Sequence, residues 1–180
     1  MTIQHERADR RQDDWQSKAL HDAQINAKYE SGTNKLILEH DRIKLPKLVE
    51  KIKHNSQYMM ISSDWSSSWN EITKSKLIES FLINIPVTPI IVFEKEYNIH
   101  QVIDGRERLK TIADFYSDRL TLIGLEIETD LDKCTYSTLS AKVREQLDRR
   151  SLFLVNCISV NDNLTETEIK RLINAIEKRC

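Results

Sequence analysis

The chain changes from a strand to a helix at Val102-Ile103-Asp104-Gly105-Arg106-Glu107-Arg108. Val102 and Ile103 favour a strand, and Gly105 permits the positive φ of a tight turn. The amides that follow begin a helix, so they are unpaired donors with a partial positive charge. This arrangement predicts a site for an anionic group such as a phosphate. An ordinary helix cap with solvated charges is the alternative that the spacing leaves open.

The helix after Gly105 can be phased from four apolar side chains at helical spacing: Leu109, Ile112, Ala113 and Tyr116. At about 100° per residue, Arg106 and Arg108 fall on opposite flanks of this buried face, and Glu107 points away from it. We therefore expect the two arginines to converge on an anion at the helix start. Asp104 would cap the helix, or orient an arginine, a water molecule or a metal ion.

Hydrophobic periodicity predicts the elements of the first half of the chain. Helices are expected over residues 15–29, 45–54 and 72–84, and short strands over residues 35–39 and 58–61. Residues 1–14 are polar and without a period, so we expect a disordered or frayed N-terminus there. Ser68 and Glu71 have capping-box spacing, which predicts the start of the third helix.

In the second half, strands are predicted over residues 90–93, 100–103, 120–127 and 151–160, and helices over residues 106–116, 136–149 and 166–178. Ile90-Ile91-Val92-Phe93 shows no polar alternation, which indicates a strand buried on both faces. The predicted fold class is α/β, in the mixed α+β sense: a small mixed sheet with surrounding helices. Residues 15–180 are expected to form a single domain.

The bulk composition sets limits on the kind of site to expect. The 180 residues are 39% apolar and 31% charged with a net charge of −1, so no global field attracts DNA or a membrane. No apolar run reaches the roughly 20 residues of a membrane span, and no secretory signal opens the chain. The three cysteines form no C-x-x-C pair and the five histidines are scattered, so no zinc or other metal site is expected. A cytoplasmic protein is indicated.

Two local features offer a surface for nucleic acid. Lys44, Lys47 and Lys51 surround the helix predicted over residues 45–54; they form either a solvated face or a surface for backbone phosphates. Trp65 and Trp69 lie in a serine-rich loop. Trp69 either packs the following helix onto the sheet or, with Trp65, forms a platform on which a base stacks.

Four blocks of the sequence, in this order, resemble the N-terminal domain of GmrSD-type restriction endonucleases. They are Trp69, then Lys74-Ser75-Lys76-Leu77-Ile78-Glu79-Ser80-Phe81-Leu82, then Ile85-Pro86-Val87-Thr88-Pro89-Ile90, then Val102-Ile103-Asp104-Gly105-Arg106-Glu107-Arg108-Leu109. The last block is similar to the family's Asp-Gly-Gln-Gln-Arg-Leu signature, and the likeness spans residues 58–125. The resemblance implies a ParB/sulfiredoxin-like fold and a role in bacterial or phage-related defence against modified or foreign DNA.

In that family the Asp-Gly-Gln-Gln-Arg motif is tied to nucleotide binding and hydrolysis. The resemblance therefore implies catalytic roles for Asp104 and Arg108, with an NTP and Mg²⁺ as cofactors. It implies a nucleotide- or phosphate-binding set of Gly105, Arg106, Arg108, Lys76 and Trp69. Arg106 and Glu107 replace the two glutamines, and Ser66-Ser67-Ser68 stands where the family has Gln-Arg. The loss of that cation favours binding over hydrolysis.

Three functions are consistent with these patterns. The first is a nucleotide-binding domain, NTP-hydrolysing or not, of a phage-defence system. The second is a non-catalytic module that binds duplex DNA through Lys44, Lys47, Lys51 and Trp65. The third is a partner-binding subunit of a separate nuclease, docking through the apolar stripe of residues 166–178, which otherwise packs on its own sheet. No C-terminal HNH nuclease domain is expected, and an oligomer is compatible with all three.

Overall fold

The computed structural model describes residues 3–30, 36–53, 68–97, 99–160 and 165–178. The described elements, in chain order, are α1 (Ile3–Glu30), β1 (Leu36–Lys44), α2 (Leu45–Lys53), α3 (Glu71–Leu82), β2 (Ile90–Glu96), β3 (Ile99–Asp104), α4 (Arg106–Tyr116), a short 3₁₀ turn (Thr129–Leu131), α5 (Ala141–Asp148), β4 (Ser151–Ser159) and α6 (Glu166–Glu177). The mixed α/β class predicted from the sequence is confirmed.

The strands form one mixed sheet in the order β1-β4-β2-β3. β4 runs antiparallel to β1 and parallel to β2, and β2 runs antiparallel to β3. Lys44 pairs with Ser151 at the end of β1, and Asp104 pairs with Ile91 at the end of β3. Because β2 and β4 start side by side, the last residues of β1 and β3 lie at the same end of the sheet.

β2 and β3 are buried on both faces of the sheet, whereas most of β1 is exposed. Val92 and Val102 face a core built with α2, α3 and α4, whereas Phe93 and Ile103 face a second cluster. This agrees with the prediction that β2 lacks a polar face. Ile173 of α6 completes the second cluster, so the apolar stripe of this helix packs on its own sheet.

The prediction of a strand over residues 120–127 is wrong, because this segment is an irregular loop. Its leucines are apolar because they enter the core: Leu120, Leu122 and Leu125 are all buried. Side chains accept several of its backbone hydrogen bonds, from Ile123 to Ser75 Oγ at 3.0 Å and from residues 126–128 to the Glu79 carboxylate. Leu122 N donates instead to the carbonyl oxygen of Cys134 at 2.9 Å. The helix predicted over residues 136–149 begins only at Ala141.

The predicted capping box at the start of α3 is also wrong. Asn70 is the N-cap residue, and its side-chain oxygen accepts from Thr73 N at 2.8 Å. Ser68 instead donates to the Glu107 carboxylate.

α1 begins at Ile3, within the segment expected to fray, and β1 extends to Lys44, well past the predicted strand. Trp65, Ser66, Ser67 and the strand predicted over residues 58–61 lie outside the described residues.

Candidate phosphate-binding corner

Gly105 forms the turn between β3 and α4 in a left-handed conformation, with φ of 97°. A Cβ at this position would lie 2.2 Å from Ile90 Cδ1, so packing as well as backbone conformation requires glycine. Gly105 is the N-cap residue of α4 and supplies no side-chain acceptor to its first turn. The turn predicted from the sequence is confirmed, and it leaves the positive end of the helix dipole without a side-chain cap.

Asp104 and Arg108 form an ion pair across this turn. Arg108 Nη2 donates to Asp104 Oδ2 at 2.6 Å and to the carbonyl oxygen of Pro89 at 3.2 Å. The Arg108 side chain is 14% exposed and that of Asp104 is 42% exposed, so the acid is the outer member of the pair. Arg108 Nε is buried without a hydrogen-bond partner. Asp104 and Pro89 therefore hold the guanidinium beside Gly105, with one buried donor unsatisfied. Asp104, Gly105 and Arg108 together form a corner between β3 and α4.

Arg106 does not converge with Arg108 on a common point. Its Nε and Nη2 donate to the carbonyl oxygen of Val102 at 3.4 and 3.2 Å, back along β3. Phasing located the two arginines on opposite flanks of α4, but it could not reveal that each guanidinium reaches a backbone carbonyl. Arg106 thus contributes to the corner through its backbone position at the start of α4.

Glu107 joins the corner to the segment that precedes α3. Its carboxylate accepts from Ser68 N at 2.8 Å and from Ser68 Oγ at 3.2 Å. Ser68 is the last residue of the serine run Ser66-Ser67-Ser68. Sequence reasoning missed this contact because nothing in either local pattern relates residues so far apart in the chain.

Lys76 and Trp69 have partners of their own. The Lys76 ammonium forms an ion pair with Glu126 in the loop after α4, which balances its charge there. Trp69 is partly buried and packs against the main core cluster, as its packing interpretation predicts. These contacts give both residues a structural role alongside any contact with a ligand.

The predicted lysine surface is largely exposed. Lys44 and Lys47 are solvent-exposed, while Lys51 is half-buried. Burial lowers the pKa of Lys51 and the nearby charge of Lys47 lowers it further, against the opposing effect of Asp41. α2 also packs against α5. The basic residues of α5 are therefore neighbours of this surface, which the sequence did not indicate.

Two buried acids with shifted pKa values lie away from the corner and have structural partners. Burial raises the pKa of Glu79, but hydrogen bonds from the backbone N–H groups of residues 128, 127 and 126 outweigh it and lower the pKa overall. Burial likewise opposes ionisation of Asp114, and its bonds with Lys110 and Arg119 lower the pKa. Both carboxylates stabilise local structure.

Neither a cluster of metal-binding side chains nor a similar protein indicates what the corner binds. Within the described ranges, no group of three or more histidine, cysteine and acidic side chains is arranged to hold a metal ion. None of the described helices combines the length and the apolar character that crossing a membrane requires. Comparison with known proteins found no matching family model, no matching curated protein and no matching solved structure. The chemistry of the corner therefore carries the functional argument.

Proposed function

We propose that the chain is a nucleotide- and phosphate-binding domain of ParB/sulfiredoxin-like type, resembling the NTP-binding part of a modified-DNA restriction system and acting in the cytoplasm. The proposal rests on the geometry of the corner formed by Asp104, Gly105 and Arg108. A left-handed Gly105 starts α4 without a side-chain cap, and Arg108 is held beside that glycine by Asp104. A helix N-terminus beside a fixed guanidinium is a favourable environment for a phosphate.

Asp104 decides what kind of phosphate the corner accepts. Its exposed carboxylate would repel a bare phosphate that approaches Arg108. With Mg²⁺ present, the same carboxylate would offer the ion an oxygen ligand, as Mg²⁺ bound to nucleotide phosphates often has one or two protein carboxylates. The residues present fit this group, since one Asp104 oxygen binds Arg108 and the side chain is 42% exposed. The corner is therefore suited to an NTP bound together with Mg²⁺.

The proposal is tested by calorimetric titration of ATP and GTP with and without Mg²⁺. Arg108→Gln is expected to weaken NTP binding roughly 10- to 100-fold, the effect of losing one charged hydrogen bond. Asp104→Asn should retain a hydrogen bond to Arg108 but abolish the dependence of binding on Mg²⁺. Arg171→Gln, an exposed arginine on α6, is the matched control.

Because Arg108 is largely buried, thermal unfolding must show that each variant is folded. The proposal fails if the folded wild-type chain binds no NTP in either condition. It also fails if the folded Arg108→Gln variant binds NTP as tightly as the wild type. Phosphate release from bound NTP then tests the finer proposal that Asp104 and Arg108 support hydrolysis.

A non-catalytic DNA-binding module is the second candidate. Two exposed lysines, Lys44 and Lys47, favour it, and Glu107 brings negative charge to the corner. This candidate predicts that the chain binds duplex DNA with an affinity that falls steeply with salt. Fluorescence anisotropy at several salt concentrations measures this, and binding that is absent or insensitive to salt rejects it. In either case a separate nuclease subunit would supply strand cleavage.

A further inference from the structure

An open cavity of about 450 Å³ lies between α5 and the end of β1, and neither Asp104 nor Arg108 lines it. Six of the residues that line it carry polar or charged groups: Lys44, Tyr136, Arg144, Glu145, Asp148 and Arg149. Three are cations and two are carboxylates, which gives the lining a net charge of +1.

The fold brings these residues together from three parts of the chain. Leu45 N donates to the carbonyl oxygen of Arg150 at 3.0 Å, and Lys44 pairs with Ser151, so the end of β1 is fixed beside the end of α5. Arg144 and Glu145 lie four and three residues before Asp148 on α5, so all three share one side of the helix and line the same cavity. No local sequence pattern predicts that Lys44 lies beside these residues.

Both carboxylates of the cavity have partners within the protein. Asp148 accepts from Tyr116 Oη at 2.9 Å and from Tyr136 Oη at 3.0 Å. Burial, followed by the bond to Asp148, raises the pKa of both tyrosines, so their hydroxyls remain protonated donors. Glu145 pairs with Arg149 at 2.5 Å.

Two cations remain. Among the residues that the structure describes, Lys44 and Arg144 have no acidic group within 4.0 Å. The ring of Tyr136 stacks on Tyr116 with centroids 4.4 Å apart and forms an aromatic wall of the cavity. Arg144 also lies near Asp118, because its charge helps to lower the pKa of that carboxyl. Two cations that lie outside the ion pairs of the cavity, beside an aromatic wall, are suited to bind a doubly charged anion.

We propose that this cavity is a second phosphate-binding site, in which Lys44 and Arg144 hold the phosphate oxygens and Tyr136 forms the wall. The proposal goes beyond the corner at Gly105, because no residue is shared between the two sites. The phosphate comes either from a free phosphate or nucleotide, or from the backbone of duplex DNA. Both sources present the same chemistry to the two cations, and the experiment distinguishes them.

The test compares the wild-type chain with Lys44→Gln/Arg144→Gln. Inorganic phosphate and a short DNA duplex are titrated separately while the amide NMR signals of α5 are followed. We expect at least one titrant to shift these signals, and the double variant to bind it roughly tenfold or more weakly. If DNA is the source, the slope of log K against log salt should become shallower by about 1.8, the contribution of two phosphate contacts.

Lys142→Gln/Arg171→Gln removes the same two charges from exposed positions outside the cavity and should bind like the wild type. The proposal is overturned if neither titrant shifts the α5 signals, or if the two double variants bind equally. Arg108→Gln should leave the α5 titration unchanged, so that failure of the corner and failure of this cavity give different results.

Discussion

At the scale of single residues, the position of the Arg108 side chain depends on the absence of a side chain at Gly105. Gly105 lacks the Cβ that would lie 3.0 Å from Arg108 Nη2, so the guanidinium can fold back over the turn. There it meets Asp104 and the carbonyl oxygen of Pro89. The glycine therefore permits both the backbone turn and the position of the cation that would bind a phosphate.

Gly105→Ala is expected to lower the free energy of unfolding by about 3 kcal/mol. Roughly 1–2 kcal/mol comes from the left-handed backbone, and the remainder from the clash with Ile90. Chemical denaturation measures the change. Gly124→Ala is the matched control, because Gly124 also has a positive φ (64°) while its added Cβ would lie 3.6 Å from its nearest neighbour. Equal losses at the two glycines would contradict a packing role for Gly105.

At the scale of elements, short side chains with local contacts cap the starts of α3 and α6. Thr165 caps α6 with a complete capping box, in which Thr165 Oγ1 accepts from Glu168 N and the Glu168 carboxylate accepts from Thr165 N at 2.9 Å. Asn70 caps α3 with a single bond to Thr73 N. α6 covers the second face of the sheet, so its cap stabilises the contact of Ile173 with Phe93 and Ile103.

Thr165→Ala is expected to destabilise α6 by about 1 kcal/mol, the usual effect of losing an N-cap side chain. Hydrogen exchange of the α6 amides measures this. In the Thr165→Ala variant, the amides of α6 should exchange faster than those of α4. Thr167→Ala changes an exposed threonine in the same turn and should leave exchange nearly unchanged. A similar acceleration in both variants would show that the cap does not stabilise α6.

At the scale of the whole molecule, buried carboxylates join segments that are distant in the chain. Glu79 of α3 accepts from the backbone N–H groups of Glu126, Ile127 and Glu128. It therefore secures the loop that replaces the predicted strand against the helix layer. Asp114 of α4 makes a local connection instead, to Arg119 in the turn after this helix.

This arrangement predicts a loss of stability in acid. Because the folded-state pKa of Glu79 is lowered from 4.5, its contribution is fully present above about pH 4.5 and is lost as the pH falls through the folded-state pKa. Glu79→Gln should lower the free energy of unfolding at pH 7 by roughly 1–3 kcal/mol and make its fall below pH 4.5 shallower. Urea unfolding at several pH values measures both effects.

Glu50→Gln, at an exposed position on α2, is the control for the acid prediction and should retain the stability and pH profile of the wild type. If Glu79→Gln retains the full pH dependence of the wild type, the acid sensitivity arises elsewhere. Asp114, whose pKa is also lowered, would then be the next residue to replace.

The sequence alone determined the features that depend on neighbouring residues. The apolar spacing of α2 and α4, the buried run at Ile90 and the glycine turn at Gly105 all follow from local periodicity and backbone preference. Tertiary structure decided the features that depend on distant partners. Residues 120–127 resemble a strand, but their leucines enter the core, and Ser75 and Glu79 accept hydrogen bonds from the backbone N–H groups of Ile123 and Ile127. Arg106 and Arg108 donate to backbone carbonyls, and Lys44 lines the same cavity as Arg144. Only the folded chain brings these groups within reach of the long side chains.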